Sequence, residues 1–76
     1  MEVNIKEIAE RNIFIKNASE IREICVKEDV DIGVGLDMYV ANHKIDRSVD
    51  GINDQYQEFR KLCREYTLDG IVEMLK

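Results

Sequence analysis

The chain has 76 residues and a formal net charge of −5, from 16 acidic and 11 basic residues. We expect one small domain (residues 1–76) of modest stability, because a chain this short buries only about 60% of its unfolded surface. Nucleic acids and anionic membranes are bound through clustered Lys and Arg, so this composition disfavours both as partners. No apolar run reaches the ~20 residues that span a bilayer, and no signal-peptide pattern opens the chain, which predicts a cytoplasmic location.

The first predicted element is a helix that begins near residue 4. Asn4 and Glu7 have the spacing of a capping box, and apolar residues follow them at helical spacing. The end of this helix is less well defined, because residues 12–16 contain an Ile-Phe-Ile run that is rich in β-favouring side chains. Residues 12–16 fit either the last turn of the helix or a short strand.

A second helix is predicted over residues 18–28. Asn17 and Glu20 repeat the capping-box spacing, and Ser19 is a competing N-cap. The predicted apolar face consists of Ile21, Ile24 and Cys25. The predicted polar face carries Glu20, Glu23 and Lys27.

Residues 29–44 fit two opposed patterns. Apolar and other residues alternate over residues 30–40, which is typical of a half-buried strand. The same segment has a helical stripe that ends at His43, with Asp31 as an available N-cap. A strand needs partner strands, and the chain offers few candidates, so we favour a helix over residues 34–43. An α+β fold with a small sheet using residues 30–40 is the alternative.

The longest predicted helix covers residues 51–66, with Asp50 as its N-cap. Its apolar residues recur at steps of four and three, which places them in one stripe: Ile52, Tyr56, Phe59, Cys63 and Tyr66. Thr67 is the predicted N-cap of a last helix. Together these patterns predict an all-α domain, a bundle of four to five short helices packed on the 51–66 helix.

The sequence contains no convincing catalytic or metal-binding pattern. Residues 46–57 resemble a calcium-binding EF-hand loop only in part, because Gln57 stands where a bidentate Glu is needed. Cys25, Cys63 and His43 lack the short pairwise spacing of a zinc site, and we interpret both cysteines as buried thiols. We therefore predict that the protein is not an enzyme and uses no cofactor.

The preferred functional hypothesis is a small acidic regulator that binds another protein with a basic surface. Residues 1–38 hold nine acids and five bases, while no nucleophile, metal or phosphate-binding motif is found. An inhibitor or antitoxin-like partner fits this composition, and the Ile, Lys, Asn and Asp usage suggests a bacterial or phage origin. The candidate partner-binding residues are Glu20, Glu23, Glu28, Asp29, Asp31, Asp37 and Tyr39.

Two other functions remain open at this point. Residues 18–43 could form a helix-turn-helix of a transcription regulator, although the would-be recognition helix offers Asp37 and no Lys or Arg before Lys44. Alternatively, the stripe of the 51–66 helix could pair with itself across a two-fold axis, which would make the protein a self-assembling homodimer.

Overall fold

Six helices follow one another in the computed structural model, which describes residues 4–76. They are α1 (Ile5–Arg11), α2 (Ile13–Lys16), α3 (Ala18–Glu28), α4 (Ile32–Asn42), α5 (Ile52–Tyr66) and α6 (Leu68–Met74). The described residues contain no strand. The all-α prediction is therefore confirmed, and the alternative sheet over residues 30–40 is wrong. The helix count exceeds the predicted four to five because residues 13–16 form a separate short helix.

Three of the predicted N-caps are present. The side-chain oxygens of Asn4, Asp31 and Thr67 each accept a hydrogen bond from the backbone N–H three residues later, at 3.0–3.2 Å. The predicted cap of α5 by Asp50 is wrong. Gly51 occupies that position with a φ of 86° and no side-chain bond to the helix, so the chain enters α5 through a left-handed residue that glycine tolerates.

Asn12 separates α1 from α2. Its backbone is extended, which interrupts the helix, and its side-chain oxygen accepts the N–H groups of Phe14 and Ile15 at 2.9 and 3.1 Å. The amide nitrogen donates to the Gln55 carbonyl at 3.0 Å and to Glu58 Oε1 at 2.9 Å. Only 1% of Asn12 is exposed, so one buried side chain both starts α2 and fastens it to α5.

The core is built around Phe14, which is fully buried on α2. Its ring meets Tyr39 and Tyr56 edge-on, with ring centroids 6.0 and 5.9 Å apart, and lies 6.4 Å from the Phe59 ring. Aliphatic side chains from all six helices complete this single core. The radius of gyration of 11.6 Å is close to the ~11 Å expected for a folded chain of this length.

Gly35 allows α3 and α4 to approach closely. A Cβ atom at this position would collide with Cys25 Sγ on α3. Residues 33 and 35 weaken the helical pattern of α4 in the sequence, but in the structure the second of these glycines is needed for packing. The helix spans Ile32–Asn42 instead of the predicted 34–43, because Asp31 caps it and residues 32–33 form its first turn.

Candidate functional site

Helix α4 is rich in apolar residues, and they do not all face the core. Its inward side chains Leu36 and Tyr39 are 0% and 2% exposed. On the opposite side Val34 is 46% exposed, Ala41 is exposed and Met38 is partly exposed. We call the surface formed by Val34, Asp37, Met38 and Ala41 the outer face of α4. Apolar side chains of α4 are therefore exposed on the side away from the core, next to the carboxylate of Asp37.

Three carboxylates lie in the turn that leads into α4. Asp29 ends α3 in the left-handed conformation, with a φ of 53°, and Asp31 caps α4. Glu28 is the last residue of α3, and all three side chains are exposed. No Lys, Arg or His of residues 4–76 forms an ion pair with them. The N-terminal end of the outer face is therefore bordered by negative charge, and we call Glu28, Asp29 and Asp31 the acidic turn.

Asp37, the polar member of the outer face, is fixed from the side of α5. Its carboxylate accepts a hydrogen bond from the Tyr56 hydroxyl at 2.5 Å. Arg47 covers the Tyr56 ring, with its guanidinium carbon 3.6 Å from the ring centroid. Burial raises the pKa of Tyr56, and the bond to Asp37 raises it further, so the phenol remains a hydrogen-bond donor. The Asp37 carboxylate is thus held in one orientation by Tyr56 and remains exposed to solvent.

Glu20 takes part in a different contact. Its carboxylate lies 2.5 Å from His43 Nε2, and the His43 ring packs on Tyr39 with centroids 4.4 Å apart. This contact joins the start of α3 to the end of α4. Glu23 is exposed on α3, one turn further along. These two acids therefore lie apart from the acidic turn, although they are close to it in the sequence.

Tyr39 requires a correction. It was expected to anchor a partner, but it is 2% exposed and belongs to the aromatic core around Phe14. Burial raises the pKa of its hydroxyl, and the nearby Glu20 carboxylate adds to this effect. A side chain so enclosed is not available at the surface, so we remove it from the candidate site.

The candidate site therefore combines predicted and unpredicted residues. Four of the acidic residues predicted from the sequence border or belong to the outer face: Glu28, Asp29, Asp31 and Asp37. The apolar part was missed. Apolar residues occupy most of positions 30–40, but this pattern does not show which of them face the solvent.

The cysteines show no feature of an activated thiol. Both are free; Cys63 is buried and Cys25 is partly exposed, so the prediction of a buried thiol holds for Cys63 only. Burial raises the pKa of Cys63 to about 12. Burial also raises the pKa of Cys25, with a smaller contribution from Asp31. Since the thiolate is the nucleophile, the raised pKa values of these two thiols lower their reactivity near neutral pH. Residues 4–76 contain no cluster of three or more His, Cys, Asp or Glu suited to a metal ion.

The geometry bears on the helix-turn-helix hypothesis. Helices α3 and α4 are joined by residues 29–31, a connection of the length that this motif uses. The surface that a recognition helix would present is the outer face of α4, and it holds one carboxylate and no Lys or Arg. Recognition helices bind bases and phosphates through cationic and amide side chains, so this surface gives no support to DNA binding.

The stripe of α5 is not free to pair with a second copy. Tyr56, Phe59 and Cys63 are 3%, 0% and 6% exposed because they pack in the protein's own core. These three side chains are therefore unavailable for pairing while the chain keeps this fold, and a homodimer would need another surface.

Among the described helices, none combines the length and the apolar character that crossing a membrane requires. Comparisons with protein-family models, with curated proteins and with solved structures find no match to this chain.

Proposed function

We propose that the protein is a small acidic regulator that acts by binding another protein, in the manner of an inhibitor or antitoxin, and that the outer face of α4 is its docking surface. The observation that carries this proposal is the exposure of apolar side chains on α4, with Val34 at 46%, beside the unpaired carboxylates of the α3–α4 turn.

This arrangement has the anatomy of a protein interface. Such interfaces place apolar side chains at the centre and polar or charged groups at the rim, where water remains. On α4 the centre is formed by Val34, Met38 and Ala41, and the rim by Asp37 and the acidic turn. A docked partner would cover the apolar side of α4 and complete the burial that the fold leaves unfinished.

The rim also indicates the chemistry of the partner. Glu28, Asp29 and Asp31 place three carboxylates within four residues, and a partner with Lys or Arg beside an apolar patch would complement them. Opposite charges at a rim mainly accelerate association and exclude wrong partners, and their effect decreases as salt screens them. We therefore expect binding that is fast and salt-sensitive, with the lasting affinity supplied by the apolar centre.

Affinity capture from a lysate of the source organism, followed by quantitative mass spectrometry, tests this proposal. One variant, Val34→Gln with Ala41→Gln, makes the outer face polar at exposed helical positions. A second variant, Glu28→Gln with Asp29→Asn and Asp31→Asn, removes the rim charges. Asn still caps a helix and tolerates the left-handed conformation, so the turn is preserved. The matched control removes three other exposed acids through Glu10→Gln, Glu65→Gln and Glu73→Gln.

We expect one protein to be retained by the wild type and the control but lost by the outer-face variant. The rim variant should retain less of it, with a weaker dependence on salt. Circular dichroism confirms that each variant is folded. If every captured protein binds the wild type and the outer-face variant equally, the proposal is wrong.

A further inference from the structure

The outward side of α5 is basic although the protein is acidic. Four exposed residues, separated by three, one and three positions, share this side of the helix: Gln57, Arg60, Lys61 and Arg64. The opposite side of the helix is buried through Tyr56, Phe59, Leu62 and Cys63. We call the surface formed by Gln57, Arg60, Lys61 and Arg64 the basic face of α5.

The three cations repel one another. Arg60 and Arg64 are four positions apart and Lys61 and Arg64 are three apart, so each pair is adjacent on the helix surface, where like charges destabilise the helix. None of them forms an ion pair with a carboxylate of residues 4–76. The nearby Glu58 is already bound by Arg11 and Asn12 at 2.9–3.2 Å. Lys61 has Glu58 and Glu65 three and four positions away on the same helix, so the repulsion that an external anion would relieve is mainly that between Arg60 and Arg64.

A cleft lies beside the two arginines. It has a volume of about 120 Å³ and is lined by Ile32, Gly33, Arg60, Cys63 and Arg64. A Cβ atom at Gly33 would lie 3.5 Å from Asp31 Oδ1 and 3.7 Å from an Arg60 guanidinium nitrogen, so the start of α4 forms the opposite wall and brings one carboxylate to the edge of the cleft. The cleft is a few times larger than the ~30 Å³ that one water molecule occupies in the liquid. It has room for a single carboxylate group beside the two arginines.

We propose that the basic face of α5 binds an acidic polypeptide segment of another protein, with one carboxylate of that segment held between Arg60 and Arg64. Guanidinium groups bind carboxylates through paired charge-assisted hydrogen bonds, which gives orientation as well as affinity. The two arginines are separated by about 6 Å along the helix axis, which suits one acidic side chain and its neighbours in a peptide.

The charge distribution favours a peptide over a nucleic acid. Nucleic acids gain their affinity from many phosphate contacts along an extended basic surface. Here the three cations lie within about one helical turn, and Asp54 and Glu65 lie on the same helix at the borders of the face, so few phosphates of an extended chain could be contacted. The cleft adjoins Asp31 at the start of α4, but this inference does not depend on the function proposed above.

Backbone amide NMR of the whole protein with three matched ligands tests the inference. The ligands are a short peptide of alternating Glu and Ser, the corresponding Lys and Ser peptide, and a single-stranded oligonucleotide of the same formal charge as the acidic peptide. We expect the acidic peptide to shift the signals of residues 57–64 and 32–33 at low salt. The basic peptide and the oligonucleotide should leave these signals in place.

Two double variants distinguish binding at Arg60 and Arg64 from a general effect of the protein's net charge. Arg60→Gln with Arg64→Gln should weaken binding of the acidic peptide at least about fivefold, the combined effect of two exposed ion pairs. Lys6→Gln with Lys16→Gln changes the net charge by the same amount at exposed positions elsewhere and should leave binding unchanged. Gln is compatible with a helix, so both proteins should fold. The inference is overturned if the acidic peptide shifts no signals in these segments, if the oligonucleotide binds more tightly, or if both double variants lose affinity equally.

Discussion

Asn12→Ala should be among the most destabilising single changes in this protein, because Asn12 makes four hydrogen bonds from a position that is 1% exposed. Loss of the cap oxygen leaves two N–H groups at the start of α2 without a partner, which costs about 1 kcal/mol for an N-cap. Loss of the amide nitrogen removes the bonds from Asn12 to the Gln55 carbonyl and to the Glu58 carboxylate, adding ~2 kcal/mol. The sum of about 3 kcal/mol is a large share of the stability of so small a domain.

Urea and thermal unfolding followed by circular dichroism measure this effect. At this chain length a loss of about 3 kcal/mol lowers the Tm by roughly 15 °C. Asn4→Ala is the matched control, since Asn4 also caps a helix but is exposed and makes a single cap bond at 3.2 Å. It should cost only about 1 kcal/mol. Equal losses for the two variants would show that the contacts of Asn12 with α5 contribute nothing, and would refute the reasoning.

Two further predictions follow from the packing and the charges. Gly35→Ala should destabilise the protein by about 1–3 kcal/mol, because the new methyl group collides with Cys25 Sγ, and Cys25→Ala in the same chain should recover most of this loss in urea unfolding. Burial raises the pKa of Glu58, but the hydrogen bonds from Asn12 and Arg11 outweigh it and hold that pKa below its ordinary value. Its contribution to stability is therefore present above the unfolded-state pKa and is lost as the pH falls through the folded-state value. Glu58→Gln should reduce the acid dependence of the free energy of unfolding between about pH 5 and pH 3, and an unchanged dependence would contradict this assignment.

The helices that have a strong local signal could be predicted from the sequence. The stripe of α5 and the caps at Asn4, Asp31 and Thr67 act within a few residues, so the sequence pattern and the structure agree closely. The separate helix α2 could not be predicted, because Asn12 interrupts the chain through bonds to residues more than forty positions away. The entry into α5 depends on the left-handed backbone of Gly51, which no periodicity reveals.

Only the acidic residues of the candidate surface could be predicted from the sequence, because the surface as a whole depends on contacts between distant residues. Acidic residues are evident in a sequence wherever they lie, but whether they share a surface depends on tertiary contacts. Glu20 is drawn to His43 at the far end of α4, and Tyr39 turns into the core. The exposed apolar side of α4 could not be recognised, because one-dimensional patterns do not show which side of an apolar helix has a neighbour. That property emerges only when α3 and α5 are in place.

The dependence of α4 on its neighbours limits how its surface can be reproduced. A free helix of 11 residues with two glycines has too few hydrogen bonds to offset the entropy of ordering, so the excised segment would be a disordered peptide. The four-residue α2, on which the core is centred, is shorter still. A partner that docks on α4 as proposed would therefore recognise a shape that exists only while the whole chain is folded, and its binding would also report whether the protein is intact.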